Sequence, residues 1–407
     1  MSASTMDFTR RDAAIDILRA LTMLLMIFVN DLWTISGYPG WLGHAGRGQD
    51  MLGLADMVFP CFLFAVGTSI PFAIERRFSK GLSGVSTVGH ILSRTFALLL
   101  MGAFIVNTEH GVSPKTGMSL GVFRIVMTIA FLLIWNVYPK AGNRNMKRLY
   151  RILKIVGILL LVWLAIVFRD AGGGVFQARW WGILGLIGWT YLVCAFIYLF
   201  TRDRFRYLIP IWIIFVLICI LKSGTIEGPP LLNLPRGNFL DEWLSMLHID
   251  NGALPAFTMG GMLLSLAGVK YAGISNRTKI IVVAGVACIL LIAGVLSHNV
   301  WIISKLSATP PWVFFCTAIA AGTYGVIYWL VEAGKASWFT IISPAGTATL
   351  TCYLLPYIMY SLVAITGVKL PEWLTIGVAG VLNCIAYSFI IIGITRLLGK
   401  IHIKLKI

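Results

Sequence analysis

The chain has 407 residues, of which 58% are hydrophobic and 12% charged, with a formal net charge of +17 and a mean hydropathy of +0.86. A soluble domain carries about 25% charged residues, so this composition excludes a water-soluble globular enzyme. The apolar runs are about 20 residues long, which argues against a barrel of short alternating strands and for an all-α polytopic membrane protein.

Taken in order, the apolar runs predict twelve spans: 14–34, 54–74, 90–106, 119–138, 150–168, 181–200, 207–222, 252–268, 279–297, 311–332, 341–365 and 374–396. Because 90–106 and 207–222 are short, the expected number is about twelve, within ten to twelve. Alternate connections differ sharply in charge. One set, with both termini, holds Arg10 and Arg11, Arg76 and Arg77, the cluster from Lys140 to Lys154, and Arg202, Arg204 and Arg206. The other set holds few cations, among them Arg47, Lys115 and Lys305. That bias puts both termini in the cytoplasm and the loop after the first span outside. The positive charge therefore belongs to a membrane surface, and nucleic acid is not an expected partner. Arg10 and Arg11 precede an apolar run too long for a cleavable signal.

The seven cysteines lie within predicted helices and none forms a CxxC pair, so neither a disulfide framework nor a metal site is expected. The runs GILGLIGW at 182–189 and GGMLLSLAG at 260–268 read as small-residue packing faces. Pro60, Pro344 and Pro356 fall within spans and are expected to kink them. The long connection 223–251 is too polar for lipid, and its Trp243, Leu244 and Leu247 suit a short interfacial helix. No internal repeat is evident.

The chemistry-bearing residues concentrate between Asp12 and Ile74, where two spans flank a loop with Trp41, His44, Arg47 and five glycines. Ionisable groups at membrane depth are costly, so they pair, line a cavity or act. The first span brings Asp16, Arg19, Asn30 and Asp31, and the second brings Asp56. His44, with Asp50 and Asp56 shortly after it, is the leading candidate among six histidines, because an imidazole beside a carboxylate is a natural general base. His110, His248 and His298 fall on the outer side, and His90 and His402 on the cytoplasmic side. Asp16 and Arg19, three residues apart, read either as a structural ion pair or as a receiver for a phosphate-bearing donor. Arg124 stands among apolar neighbours and needs a carboxylate such as Asp31 or Asp56, or an anionic ligand. Asn30 and Asp31 read as helix-end polar groups, or as groups that orient His44 or hold an acyl oxygen. His298, Asn299 and Lys305 read as a solvated outer loop unless recruited to the site.

The chain has no Walker loop, GxGxxG fingerprint, HExxH or GxSxG. Phosphoryl transfer, hydride transfer and zinc proteolysis are thus without support. A secondary transporter of a sugar or organic anion remains a competing class, since many spans, broken helices and buried ions suit it.

The pattern R-x-x-x-(I/V)-D-x-x-R-(G/A) at 11–20, the run ending MIFVN, the Gly/Trp loop with its histidine, and LADMVFPCFLFAVGTSI resemble the heparan-α-glucosaminide N-acetyltransferase family. Arg11, Asp16, Arg19, Asn30, His44, Asp56, Phe59 and Pro60 carry the match. Further on, ISKLSATPPWVFF is similar to a family segment at Ile303, Lys305 and Thr309, with Ser304 and Ala308 departing from it. The family's Leu-Gln-Arg falls at Val122, Phe123 and Arg124, so only the arginine survives. Its Asp-Pro-Glu-Gly is shortened to Asp250, Asn251 and Gly252.

The resemblance implies a single transmembrane acyltransferase domain over 1–407, with a catalytic extracytoplasmic loop at 35–53 and a second outer loop at 223–251. It implies acetyl transfer from cytoplasmic acetyl-CoA to an extracytoplasmic amino sugar of a glycan such as heparan sulfate, without a metal. The family's active-site histidine maps to His44 and its asparagine to Asn30. A thioester donor needs a base or nucleophile, an oxyanion donor and a cation for the CoA phosphates. His44 suits the first role as base or transient acyl carrier, with Asp56 beside it, and Asn30 suits the second. Arg19, Arg124, Arg47 and Lys305 are the candidate donor-binding cations. The expected setting is multi-pass in a bacterial inner membrane, among membrane lipids, with a homodimer left open.

Overall fold

Helices account for nearly all the regular structure in the computed structural model, which describes residues 13–232, 245 and 250–407. Among these residues thirteen α-helices follow one another. They are α1 Ala13–Asp31, α2 Leu54–Ser79, α3 Gly84–Glu109, α4 Leu120–Trp135, α5 Arg144–Val167, α6 Gly182–Thr201 and α7 Phe205–Lys222. After the 223–251 connection come α8 Ala253–Lys270, α9 Asn276–His298, α10 Pro310–Glu332, α11 Phe339–Thr347, α12 Thr349–Thr366 and α13 Gly377–Lys400. The expected interfacial helix at Trp243, Leu244 and Leu247 lies outside the described residues, as do Arg10, Arg11 and His248.

Eleven helices among the described residues are long and apolar enough to cross a membrane, and the chain is a polytopic membrane protein. The span expected at 119–138 is α4, a helix of 16 residues. At 1.5 Å per residue it measures about 24 Å, short of the roughly 30 Å hydrocarbon core. The span expected at 341–365 breaks at Ala348, four residues after Pro344, into α11 and α12. By contrast α2 continues through both Pro60 and Pro71. Side-chain caps fix several starts: Ser119 accepts from the Val122 amide, Asn143 from Met146 and Ser275 from Thr278.

The chain divides into two compact units. Unit 1 comprises residues up to Asn30, 39–92 and 189–343, and unit 2 comprises 31–38, 93–188 and 344–407.

Unit 1 is built on the close packing of α2 against α8. A Cβ on Gly67 would lie 1.9 Å from the Thr258 carbonyl oxygen, and one on Gly261 would lie 2.0 Å from that of Phe64. The two helices meet backbone to backbone, as small residues in membrane helices permit. The 260–268 stretch is thus a packing face at Gly260 and Gly261, while Gly268 is exposed. Around it, Ile15 and Leu18 of α1 join Phe64 of α2 and Ala320 and Tyr324 of α10 in one cluster. Ile70 and Ile74 join Tyr191, Tyr198 and Met262 in another. Helix α9 leaves Ile289, Ile292 and Leu296 exposed, which suits a face turned to lipid.

Unit 2 places α4 against α5 and α12. Its core is aromatic, with Phe123 and Phe168 edge to face at 5.5 Å and Phe104 and Phe131 at 6.0 Å. The chain end is tied down: Val137 donates to the Lys404 carbonyl and Lys406 to that of Trp135. All seven cysteines are free thiols.

Candidate active site

The segment between α1 and α2 is irregular, with short 3-10 turns at Leu32–Thr34 and Gly40–Leu42. It then runs through Gly43, His44 and Ala45 to Gly53, the N-cap of α2. Gly53 is required there for a steric reason. A Cβ at this position would sit 2.0 Å from the Gly43 carbonyl oxygen, an atom of the irregular segment that carries His44.

Asp56 stands in the first turn of α2 and is 2% exposed. Its carboxylate is satisfied by three N–H groups. His44 Nδ1 lies 2.7 Å from Oδ1, while the amides of Ala45 and Gly53 donate to Oδ2 at 2.9 and 3.3 Å. The helix N-terminus adds a favourable dipole. These donors offset the several kcal/mol that burying a charge would otherwise cost. The first turn of α2 is held in turn by Trp312 of α10, whose Nε1 donates to the Asp56 carbonyl at 3.0 Å. Trp312 is itself buried edge to face against Phe257.

The geometry selects a tautomer. With Nδ1–H donated to Asp56, the lone pair of His44 is on Nε2, and the His44 side chain is 54% exposed. A carboxylate behind a half-exposed imidazole is the arrangement of a general base or a nucleophile.

Lys305 belongs to the connection between α9 and α10. Its Nζ lies 3.9 Å from Asp56 Oδ1 and 3.4 Å from His44 Nδ1. Two donors face each other in the second contact, so Lys305 acts on the pair through its charge and through Asp56. Burial lowers the Lys305 pKa, with Asp56 opposing that shift. The segment that carries it closes on itself: the Ser304 amide donates to Thr309 Oγ1, and the Thr309 amide donates back to the Ser304 carbonyl.

Asp50 ties the two segments together. Its Oδ2 lies 2.7 Å from His298 Nε2, at the end of α9, and its Oδ1 accepts the Ile303 amide at 2.8 Å. Burial works against the charge on Asp50, but the Ile303 amide and His298 outweigh it and hold the carboxyl below its ordinary range. His298 is therefore part of a clasp rather than a merely solvated loop residue.

Of the residues singled out from sequence, His44, Asp56 and Lys305 come together. Asn30 is exposed near the end of α1, and its side chain has no hydrogen-bond partner among the described residues. The orienting group for His44 is Asp56. Arg47 is exposed in the same loop. Arg19 lies 3.7 Å from Asp16, the expected pair one helix turn apart. Arg124 belongs to unit 2 and takes neither expected carboxylate. It donates to the hydroxyl and carbonyl of Thr108 at 3.2 and 3.3 Å, while Asp31 accepts from Tyr360 at 2.7 Å. Sequence reasoning missed the clasp and the Trp312 brace, although Asp50 and His298 had each been noted.

A family model described as a domain of unknown function, DUF5009, matches residues 11–228, more than half of the chain. The chain belongs to the DUF5009 family. This DUF5009 protein is also 30% identical over 157 residues to heparan-alpha-glucosaminide N-acetyltransferase of Mus musculus, covering 34% of this chain and 23% of that one. Against the Homo sapiens protein of the same name it is 30% identical over 137 residues, 31% of this chain and 20% of the other. The chain thus spans less than a quarter of the length of these curated relatives. The likeness to these two N-acetyltransferases extends over about a third of this chain.

Proposed function

We propose that this protein is a membrane acetyltransferase that moves an acetyl group from acetyl-CoA to the amine of a sugar on the far side of the membrane. The observation that carries this reading is His44, tethered through Nδ1 to Asp56 with Nε2 left for chemistry. The similarity to two N-acetyltransferases supports the reaction class, and the charge bias of the connections supports a cytoplasmic donor and an outward His44 loop.

In the reaction the amine nitrogen forms a bond to the thioester carbonyl carbon as the carbon–sulfur bond breaks. Nε2 accepts the amine proton, and the departing CoA thiolate is protonated in turn. The alternative route forms an acetyl–Nε2 bond first and passes the acetyl group to the amine second. Asp56 serves both routes by stabilising the imidazolium. Lys305 holds positive charge beside Asp56, Asn30 is the proposed amide donor to the oxyanion, and Arg19, Arg47 and Arg124 are proposed contacts for the anionic donor. The setting is a bacterial inner membrane with both termini cytoplasmic, and the acceptor is an amino sugar of a glycan of the heparan type.

Purified protein in nanodiscs, given radiolabelled acetyl-CoA and glucosamine, tests this. His44→Ala should lower transfer by roughly 10²–10⁴-fold, the usual worth of a positioned base, in protein that still folds. Undiminished transfer in the variant would remove His44 from the mechanism. Label retained on the protein without acceptor would select the two-step route.

A further inference from the structure

Unit 1 has a second feature at the end of its helices away from His44. A cavity of about 990 Å³ is walled by Phe205 and Trp212 of α7, Leu263 and Leu264 of α8, and Val282 and Val286 of α9. That volume is at the upper limit for small-molecule pockets, roughly 300–1,000 Å³. Beside it lies a smaller hollow of about 370 Å³, formed by Asp203, Arg204, Phe205, Arg206 and Lys270. Phe205 borders both spaces.

The smaller hollow is cationic. Arg204, Arg206 and Lys270 are exposed, and among the described residues none of them makes a salt bridge. Lys270 Nζ stands 4.8 Å above the Phe205 ring, and the Arg206 guanidinium lies 4.7 Å from that of Tyr207. Asp203 is the one carboxylate lining it, so three cations face one anion. The charged groups at the other edge of the large cavity are already engaged. Lys279 donates to the Ala272 carbonyl, and Glu332 accepts from Asn276.

An apolar chamber adjoining a basic hollow at the end of membrane helices fits one kind of molecule. We propose that this end of unit 1 binds an anionic phospholipid, its phosphate between Arg204, Arg206 and Lys270 and its acyl chains in the cavity. Basic pockets between membrane helices recognise lipid head groups in this way. A free inorganic anion would use the hollow and leave the larger chamber unfilled. Coenzyme A would bury the amides of its arm against a largely apolar wall, at the cost of their hydrogen bonds with water. The site is independent of the acetyl-transfer chemistry at His44.

The test uses delipidated full-length protein mixed with vesicles of phosphatidylglycerol and phosphatidylcholine, with retained lipid read by native mass spectrometry. Phosphatidylglycerol should be retained selectively. The combined R204Q, R206Q and K270Q variant should lose that retention by roughly a hundredfold, given the usual contribution of each cation at an anionic surface. A second variant guards against misfolding. A Cβ at Gly268, on the cavity wall, would meet nothing within 4 Å, so Gly268→Phe introduces its side chain at an open point of that wall. It should reduce phosphatidylglycerol retention while leaving the cations in place. Equal retention of both lipids, unchanged retention in either variant, or displacement of the lipid by inorganic phosphate or coenzyme A would each overturn the proposal.

Discussion

Two glycine-rich loops, one in each unit, use an aspartate in nearly the same way and end with different capabilities. In unit 2, Asp170 follows α5 and accepts from the amides of Gly172 and Gly174 at 2.9 and 2.7 Å and from Arg179 at 2.6 Å. Arg179 also donates to Asn107, which bonds the Gln177 carbonyl, so the network closes on itself. In unit 1, Asp56 likewise accepts two amides and one side chain. There the side chain is an imidazole with a second nitrogen, and that nitrogen has no partner among the described residues. A closed network stabilises a loop. A network that ends on an unused lone pair, half exposed, can take a proton or an acyl group.

The sharpest way to break this comparison is to neutralise each aspartate. Asp56→Asn keeps the size of the side chain but removes the charge that stabilises an imidazolium and favours the productive tautomer. Transfer should fall by roughly 10³–10⁴-fold, as in other carboxylate–histidine pairs. Asp170→Asn should leave transfer within a factor of about two while lowering Tm, since its partners are the amides of its own loop and Arg179 and none of the groups around His44. Equal losses of activity in the two variants, from an acetyl-transfer assay run beside thermal unfolding, would erase the distinction.

A steric change should have the next largest effect. At Gly53 a methyl group would collide with the Gly43 backbone, which cannot rotate away as a flexible side chain would. Overpacking of this kind costs about 1–3 kcal/mol. Here the strain would displace the loop segment bearing His44. Gly53→Ala should therefore lower kcat by about tenfold or more with a fall in Tm of a few degrees. Gly48→Ala, at a loop glycine where a Cβ meets nothing within 4 Å, is the control for a general loop effect. It should cost far less activity, although its φ of +80° favours glycine.

Much of this architecture is legible in the sequence because membrane solvation leaves few choices. The eleven long helices coincide with apolar runs, since backbone N–H and C=O groups in lipid must be satisfied within the segment. Small-residue packing at Gly261 was readable for the same reason. His44 and Asp56 were visible as chemistry-bearing residues twelve positions apart, and a resemblance to known sequences tied them to one site. The Asp50–His298 bond was not visible, because the partners are separated by 248 positions and no spacing rule couples such residues. Arg124 misled for a related reason. A lone arginine in an apolar run demands a partner, but its hydrogen bonds go to the hydroxyl and carbonyl of Thr108 rather than to Asp31 or Asp56. Pro344 marked the 341–365 run for a kink, but the full break at Ala348 was not legible, as composition does not mark where a helix restarts after proline.

The clasp gives the smallest expected effect and the one that separates positioning from chemistry. Asp50 joins the His44 segment to the segment that carries Lys305, yet it touches neither ring nor ammonium of the proposed machinery. Its carboxyl is held below the ordinary value of about 3.9, so folding favours the ionised form. A group lowered in this way contributes stability above its unfolded pKa and loses it as pH falls through the folded value. Wild type should therefore exceed Asp50→Asn in Tm by a constant margin at neutral pH, and that margin should shrink below about pH 4. At neutral pH the variant should retain its bound donor but turn over about three- to tenfold more slowly, because a loosened loop costs orientation rather than affinity. A variant with unchanged kcat and a Tm margin independent of pH would reduce the clasp to an incidental surface pair. Unchanged kcat with a pH-dependent margin would make it a purely structural tie, leaving Asp56 and Gly53 as the groups that hold His44 in place.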